Sequence, residues 1–229
     1  MSDLLNIATI ALVGLVQASL QLNLGGLILL YHASFGKHRR RKTRYLAKSY
    51  IWGAGAIGFL SVGTCSFLIS QLFGGQMDKT WAMITIGTIA ACGLIMWGLY
   101  YRNEHSTELW LPRSITRYIR KKSRETNDNI SAFSLGMLSS FAEMPLSIVL
   151  YFVAGNAITR MSGNYQLLAL LFYTTLSILP MFILKIKIKS GSNVIAAQKW
   201  RLQNKAFAKV FSGSSFFVLG LFLMAFWVM

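Results

Sequence analysis

Acidic residues are scarce in this chain. Its 229 residues include 7 Asp and Glu against 23 Lys and Arg, which gives a formal net charge of +16 at pH 7. Cysteine and histidine are also rare, with 2 and 3 residues. Cys65 and Cys92 have no Cys-x-x-Cys spacing, so we expect small buried apolar side chains. The scattered His32, His38 and His105 predict no metal cluster.

Sequence patterns of known enzyme sites are missing too. The chain has no His-Glu-x-x-His pattern, no Ser/His/Asp set and no glycine-rich phosphate loop. We therefore predict no enzymatic activity and no cofactor. A positive charge suits nucleic acid, but the basic residues lie beside the ends of apolar stretches without interleaved aromatic residues. Anionic lipid is thus the expected partner, and nucleic acid is not.

Long apolar stretches dominate what is present. Apolar residues make up 54% of the chain, and the mean hydropathy is +0.49, values typical of a bilayer-embedded bundle. A helix needs about 20 apolar residues to cross the hydrocarbon. The candidate spans are 4–33, 49–72, 80–101, 130–156, 165–186 and 208–228. They predict an all-α, polytopic membrane protein with six transmembrane helices.

The basic residues lie between these stretches or at their ends, and their number alternates. Successive gaps hold seven, one, seven, one and seven Lys or Arg. The two single residues are Lys79 and Arg160. Because Lys and Arg stay on the cytoplasmic side of a membrane, the first, third and fifth gaps are predicted to face the cytoplasm. Both termini would then lie outside.

The third gap, residues 102–129, carries an amphipathic pattern. Its apolar residues recur at the spacing of one helix face, and basic residues take the other face. These apolar residues are Leu111, Ile115, Tyr118 and Ile119. The pattern predicts a short helix lying in the cytoplasmic interface, with Trp110 as an anchor. A solvated run of charge is the alternative interpretation.

A shift of 122 residues superimposes the first three spans on the last three. The aligned pairs include Gly14 with Gly136, Leu24 with Leu146, Gln21 with Glu143 and Asn23 with Pro145. We interpret 1–101 and 130–229 as two three-helix repeats that flank the basic linker 102–129. Since three is an odd number of crossings, the second repeat would be inverted, as in many secondary transporters.

Glu143 is the one acidic residue inside a predicted span. Holding a charge near the bilayer centre costs on the order of 3 kcal/mol or more. Three roles remain open for it: a protonation site coupled to transport, a ligand for a cationic substrate, or a neutral carboxyl bonded to a neighbouring helix. Gln17, Gln21 and Asn23 are predicted to complete a polar pocket between the first and fourth spans. Each amide alone is better explained by interhelical hydrogen bonding.

Several residues predict departures from straight helices. Gly25 and Gly26 permit unwinding or a kink in the first span. Pro145 and Pro180 predict kinks in the fourth and fifth spans, because proline lacks the backbone donor. These four residues are therefore the candidate gating positions. Hydroxyl groups before Pro180 are candidate further ligands, with the alternative that they bond carbonyl groups at the kink. They belong to Tyr173, Thr174, Thr175 and Ser177.

The chain resembles the lysine-exporter (LysE) superfamily of small bacterial membrane exporters. The resemblance lies in the six-span plan, the polar glycine-bearing first span, the basic middle gap, and the fourth span from Phe133 to Pro145. It is similar to the Gap/Sap-type branch, where a Glu-x-Pro-like step is familiar. This implies a carrier in the bacterial cytoplasmic membrane that exports a small solute, ion or amphiphile, with Glu143 and Pro145 as its carried-over site residues.

The substrate class is narrowed by one departure from that family. The first span lacks the proline that amino-acid exporters of the superfamily have there, which argues against an amino-acid substrate.

The fold also resembles membrane thiol-disulfide carriers, which place cysteines in the first and fourth spans. Here the cysteines lie in the second and third spans, so a redox relay is not expected.

Two functional hypotheses follow. The leading one is a secondary transporter that exports its substrate by proton- or ion-coupled alternating access. The alternative is a non-transporting membrane protein, such as an assembly factor, an immunity protein or a subunit of a membrane complex. The small size, sparse polar lining and basic cytoplasmic face suggest this alternative. Both hypotheses leave homo-oligomerisation open.

Overall fold

Helices form almost all of the described chain. The structure, a computed structural model, describes residues 3–20, 22–35, 40–75, 77–98, 113–188, 194, 196, 199–200 and 203–228. Its principal helices are α1 (Asp3–Ser19), α2 (Leu22–Phe35), α3 (Arg40–Phe73), α4 (Lys79–Gly98), α5 (Arg113–Glu125), α6 (Asn129–Thr159), α7 (Gly163–Lys187) and α8 (Lys205–Leu223). A π-helical segment, Met224–Val228, continues α8. These residues include no strand, so the all-α prediction is confirmed.

The described part of the chain has five helices long and apolar enough to cross a membrane. They are Arg41–Phe73, Lys79–Gly98, Asn129–Thr159, Gly163–Lys187 and Ala206–Trp227. Helices α1 and α2 make a sixth span if they are taken together, and they meet at a 45° bend. Candidate spans of this number and length indicate a multi-pass membrane protein.

Local chemistry sets two of the helix boundaries. Helix α3 ends at Phe73, and the chain turns towards α4 through Gly74 and Gly75, whose φ angles are +59° and +87°. Glycine adopts this left-handed conformation without a steric penalty. Helix α6 begins after Asp128, whose carboxylate accepts a hydrogen bond from the Ser131 amide at 3.3 Å. The hydrogen bonds from Ser131 lower the pKa of Asp128.

The most extensive helix contact in the described chain joins α3 to α6. Two glycines make it close. A Cβ added to Gly53 would collide with the carbonyl oxygen of Phe133, and one added to Gly136 would collide with that of Tyr50. The backbones of α3 and α6 therefore touch, an arrangement that small residues permit in membrane helix pairs.

The remaining helices pack in further pairs around this contact. Helix α1 packs on α7, and α4 packs on α8. Helix α1 also contacts α6, and α3 also contacts α7. At the first of these contacts a Cβ on Gly14 would lie 3.0 Å from the Cβ of Leu176. Between α4 and α8, a Cβ added to Gly213 would collide with the indole ring of Trp97.

The buried apolar side chains form two separate clusters. The first cluster joins α1, the second half of α6, and parts of α3, α4, α7 and α8, with Ile10, Val153 and Phe216 among its members. The second cluster joins α2, the first halves of α3 and α6, and the end of α7, with Leu27 and Leu135 among its members. The bundle thus has two apolar cores stacked along its length.

Helix α5 lies where the linker pattern predicts a helix. It contacts α2 and α6, and Ile119 is buried in the second cluster while Tyr118 is 54% exposed. Two residues predicted to share one apolar face therefore have different environments. Trp110 and Leu111 lie outside the described residues, as does the side chain of Ile115.

Candidate functional site

A stripe of polar side chains follows one face of α6 in the middle of the bundle. Ser140, Glu143, Ser147 and Tyr151 are spaced at i, i+3, i+7 and i+11, which places them on the same helix face. Glu143 lies near the midpoint of the helix and is 3% exposed. The fourth predicted span therefore contains a buried carboxyl group within a polar strip.

Asn23, in the first turn of α2, is tied to this stripe and to α3. Its Nδ2 donates a hydrogen bond to Glu143 Oε2 at 2.6 Å, and its Oδ1 accepts one from Ser140 Oγ at 3.1 Å. The Tyr50 hydroxyl donates to the Asn23 carbonyl oxygen at 3.0 Å. These bonds hold the amide nitrogen against the carboxylate and join three helices at one point.

Gln17, in the last turn of α1, presents an oxygen to the same region. Its Nε2 donates a hydrogen bond to Ser147 Oγ at 3.0 Å. Its Oε1 is buried and has no hydrogen-bond partner among the described residues, and the same is true of the fully buried Tyr173 hydroxyl on α7. Buried polar atoms without partners are uncommon, so this pair requires an explanation.

A small cavity connects these groups. Five helices line it: α1, α2, α3, α6 and α7. The space open to the centre of a water molecule is about 20 Å³, which is enough for a single water-sized guest. Its lining includes Gln17, Asn23, Glu143, Tyr173 and Ser177. Residues of both apolar clusters form the walls of the cavity. Those of the first cluster are Leu20, Tyr151 and Tyr173, and those of the second are Ala54, Ile178 and Met181.

The cavity adjoins the break between α1 and α2. Ala18 and Leu20 of this segment line it. The Ser212 hydroxyl of α8 donates to the Ser19 carbonyl oxygen at 2.9 Å, and the Leu20 amide donates to the Gln17 carbonyl oxygen at 3.1 Å. Protein groups thus satisfy backbone atoms that the broken helix leaves free, which is the condition for irregular backbone at membrane depth.

The structure brings four of the eight predicted site residues to the cavity wall. They are Gln17, Asn23, Glu143 and Pro180. Gln21 lies outside the described residues. Pro145 is exposed on α6 and does not line the cavity.

The predicted glycine pair lies inside a helix. The break is at Leu20, whereas Gly25 and Gly26 are helical residues of α2. An added Cβ on Gly26 would collide with the Tyr50 hydroxyl group. The absence of a side chain at Gly26 therefore admits the tyrosine that holds Asn23.

The hydroxyl residues before Pro180 divide into two groups. Tyr173 and Ser177 line the cavity, although the Ser177 hydroxyl also donates to the Thr174 carbonyl oxygen of its own helix at 2.8 Å. Thr174 and Thr175 donate to carbonyl oxygens one turn earlier in α7, at 2.8 Å each. The second pair therefore satisfies its own helix, as the alternative interpretation of these hydroxyl groups proposed.

Other site residues are not among those that the sequence singled out. Ser140, Ser147 and Tyr151 belong to the stripe on α6, and Tyr50 reaches the site from α3. The spacing of the first three around Glu143 is a periodic signal that the sequence contains. Tyr50 has no such signal, because its contact with Asn23 depends on the packing of α2 against α3.

The described residues hold no group of three or more His, Cys, Asp or Glu side chains placed to bind a metal ion. Cys65 and Cys92 are both buried and not disulfide-bonded. The candidate site is therefore built from one carboxyl group, two amides and several hydroxyl groups.

The helices and this cavity together indicate a multi-pass helical membrane protein with a buried acidic site. No model of a known protein family matches the chain, and searches among curated proteins and solved structures also return no match.

Proposed function

We propose that this protein is a secondary transporter of a bacterial cytoplasmic membrane, related to the lysine-exporter superfamily, that exports a small solute by alternating access. The observation that carries the proposal is Glu143, buried at mid-helix and lining a polar cavity between two apolar clusters. A buried acidic group within a membrane span is functional by default, because its desolvation is costly.

The two clusters are the proposed barriers of this transporter. The first cluster lies on one side of the cavity along the bundle, and the second lies on the other. In alternating access, one barrier opens while the other stays closed around a fixed site. The cavity between the two clusters is the proposed fixed site around which they would open.

Matching glycine contacts support inverted halves. Gly136 on α6 lies against Ala54 on α3, and a Cβ added to it would lie 3.0 Å from the Ala54 nitrogen. Gly14 on α1 lies against Leu176 on α7, where an added Cβ would meet the Leu176 side chain at 3.0 Å, whereas the nearest atom to a Cβ on Gly136 is the Tyr50 carbonyl oxygen. A shift of 122 residues relates Gly14 to Gly136 and Ala54 to Leu176, so each contact is the counterpart of the other under exchange of the halves.

The proposed orientation follows from charge. The basic first, third and fifth gaps would face the cytoplasm, where α5 would lie against anionic headgroups. Both termini would then lie outside the cell. Helix α5 would carry its exposed Tyr118 towards the headgroup region, with Ile119 anchoring it to the second cluster.

The experiment compares solute export by two matched variants. Cells that produce the wild type, Glu143→Gln or Glu125→Gln at equal membrane levels are profiled by mass spectrometry of the external medium. Glu125 is an exposed acid that lies 4.0 Å from Lys121, so it controls for the substitution itself. We expect exported solutes with the wild type and Glu125→Gln, and background levels with Glu143→Gln.

Two results would contradict the proposal. Undiminished export by Glu143→Gln would remove this residue from the mechanism. No difference between producing and non-producing cells, together with a stoichiometric partner that co-purifies, would instead support a non-transporting subunit or assembly factor.

A further inference from the structure

We propose that the first apolar cluster is the barrier that opens to release the solute, and that Asn6 and Asn156 are the amides along the opened path. The closed cluster leaves both amides without a partner, whereas its opening exposes them to water. The release of solute rests on the proposed transport function, but the opening of the cluster is measured without it.

The unpaired amides are the first reason. Asn156 on α6 is 0% exposed, and both its Oδ1 and its Nδ2 lack a hydrogen-bond partner among the described residues. Asn6 on α1 is 2% exposed, and its Nδ2 lacks a partner as well. Neither residue is part of the cavity wall, so a guest in the cavity does not pair with them. An unpaired amide destabilises the state that buries it, and a hydrated open state removes that cost.

Both asparagines lie within segments that build the first cluster. Ala154 and Ala157, on either side of Asn156, belong to this cluster, as does Ile10, one turn after Asn6. The amides are therefore surrounded by the apolar packing that separates the cavity from one end of the bundle. A barrier of this composition is less stable when closed than one built from apolar groups alone.

The second cluster differs in the kind of unpaired group beside it. Its unpaired side-chain atoms among the described residues are the hydroxyl oxygens of Tyr31 and Ser139. A serine hydroxyl can turn towards a carbonyl oxygen of its own helix, whereas the amide of Asn156 has a donor and an acceptor to satisfy. The larger cost of closure therefore falls on the first cluster.

The depth of the two asparagines is the second reason. Helices α1 and α6 run antiparallel across the Gln17–Ser147 hydrogen bond, since the bond from α2, further along the chain, reaches an earlier residue of α6. Asn6 precedes Gln17 by 11 residues, and Asn156 follows Ser147 by 9 residues. At 1.5 Å per residue these separations are about 16 and about 14 Å. Both amides therefore lie towards the same end of the bundle, which is the outer end in the proposed orientation.

One face of α1 joins this depth to the cavity, and it is the third reason. Asn6, Ile10, Val13 and Gln17 follow each other at i, i+4, i+7 and i+11, which places them on one helix face. Ile10 and Val13 are fully buried in the first cluster, and Gln17 lines the cavity. The face is thus polar at both ends and apolar between them. The break at Leu20 provides a hinge at the cavity end of α1, where such motions are commonly located.

The test measures how readily a thiol inside the closed cluster meets an external reagent. Val13→Cys is made in a protein without Cys65 and Cys92, and right-side-out vesicles are treated with a membrane-impermeant thiol reagent. The reaction rate is compared with and without a second substitution, Asn156→Leu or Asn6→Leu.

Leucine is chosen because it replaces the amide by an apolar group of similar shape. Asn164→Leu is the matched control, since Asn164 is exposed on α7. Thermal unfolding of each purified variant gives a second readout, which does not depend on transport.

We expect the reagent to reach Val13→Cys when both asparagines are present. Asn156→Leu should slow the reaction by about tenfold, because removal of an unpaired polar group stabilises the closed cluster. The same substitution should raise the melting temperature by about 2–4 °C. Asn6→Leu should act in the same direction, and Asn164→Leu should change neither quantity.

Three results would overturn the inference. The first is no external reaction of Val13→Cys with both asparagines present. The second is a lower melting temperature of Asn156→Leu, which would show that the amide holds the closed cluster together. The third is an equal reaction rate with Asn156→Leu and Asn164→Leu.

Export assays then separate this inference from the proposed function. Slower labelling and slower export by Asn156→Leu would support the first cluster as the release barrier. Slower labelling in a protein whose wild type exports no solute would overturn the release of solute, while the opening of the cluster would stand.

Discussion

Asn23 shows how much one side chain contributes to the organisation of the site. It holds the Glu143 carboxylate with its nitrogen, accepts from Ser140 with its side-chain oxygen, and accepts from Tyr50 with its backbone. Hydrogen bonds between neutral groups contribute roughly 0.5–1.5 kcal/mol each, and bonds to charged groups contribute more. These bonds converge on the first turn of α2 and join it to α3 and α6.

At the residue scale, the first prediction concerns Gly26. Gly26→Ala should lower the melting temperature of the purified protein, because the new Cβ collides with the Tyr50 hydroxyl. Overpacking of this kind costs about 1–3 kcal/mol. Gly87→Ala is the matched control, since an added Cβ there meets no atom within 4 Å.

A double variant identifies the atom responsible. Tyr50→Phe removes the hydroxyl group and should restore part of the stability lost in Gly26→Ala. The recovery should be partial, because the ring atom Cζ would still lie 3.2 Å from the new Cβ. A loss of stability that Tyr50→Phe leaves unchanged would contradict this account of the contact.

The sequence predicts some of these residues better than others. Gln17, Asn23 and Glu143 stand out because amides and acids are rare within apolar spans. Ser140 and Ser147 do not, because serine in a membrane helix commonly bonds the carbonyl groups of its own helix. Their roles depend on the partners Asn23 and Gln17, which lie more than a hundred positions away.

At the scale of the element, the break between α1 and α2 differs in position from the predicted flexible point. The glycine pair suggests unwinding at Gly25 and Gly26, whereas the break lies at Leu20. The Ser212 hydroxyl of α8 satisfies the Ser19 carbonyl oxygen across 193 positions of sequence. A local sequence pattern contains no information about such a distant partner, although it does contain the polar residues on both sides of the break.

The two helix prolines give the prediction at this scale. Pro180→Ala should reduce solute export by about tenfold or more, because a shifted α7 misplaces a wall of the cavity and small displacements in a binding site cost this much. Pro145→Ala should reduce export less, because the Pro145 side chain is exposed and does not line the cavity.

Both variants remove a proline from a helix interior, so each is a structural control for the other. The measurement is the initial export rate per molecule of membrane-inserted protein. Equal losses in both variants would show that proline kinks matter for the bundle in general and not for the cavity.

At the scale of the whole molecule, the length of the apolar stretches predicts more than single residues do. Apolar length predicts helical spans, and the described part of the chain has five of them, or six with the bent pair α1 and α2. The offset of 122 residues pairs Gly14 with Gly136, and both prove to be close-contact positions. The stacking of two clusters about the cavity was not predicted, since it depends on the contact of α3 with α6 and of α1 with α7.

The proposed transport cycle requires that the cavity is reached alternately from the two sides of the membrane. Site-directed labelling tests it most directly, in a Cys65→Ala, Cys92→Ala background that retains export. Ser177→Cys introduces a thiol into the cavity wall, and Glu125→Cys introduces one at an exposed position on the predicted cytoplasmic side. Both are treated with a membrane-impermeant thiol reagent in right-side-out and in inside-out vesicles.

We expect the thiol of Ser177→Cys to react from both sides, because each apolar cluster would open in turn. The thiol of Glu125→Cys should react from the cytoplasmic side alone. Reaction of Ser177→Cys from one side only, in a variant that still exports its solute, would contradict alternating access at this cavity.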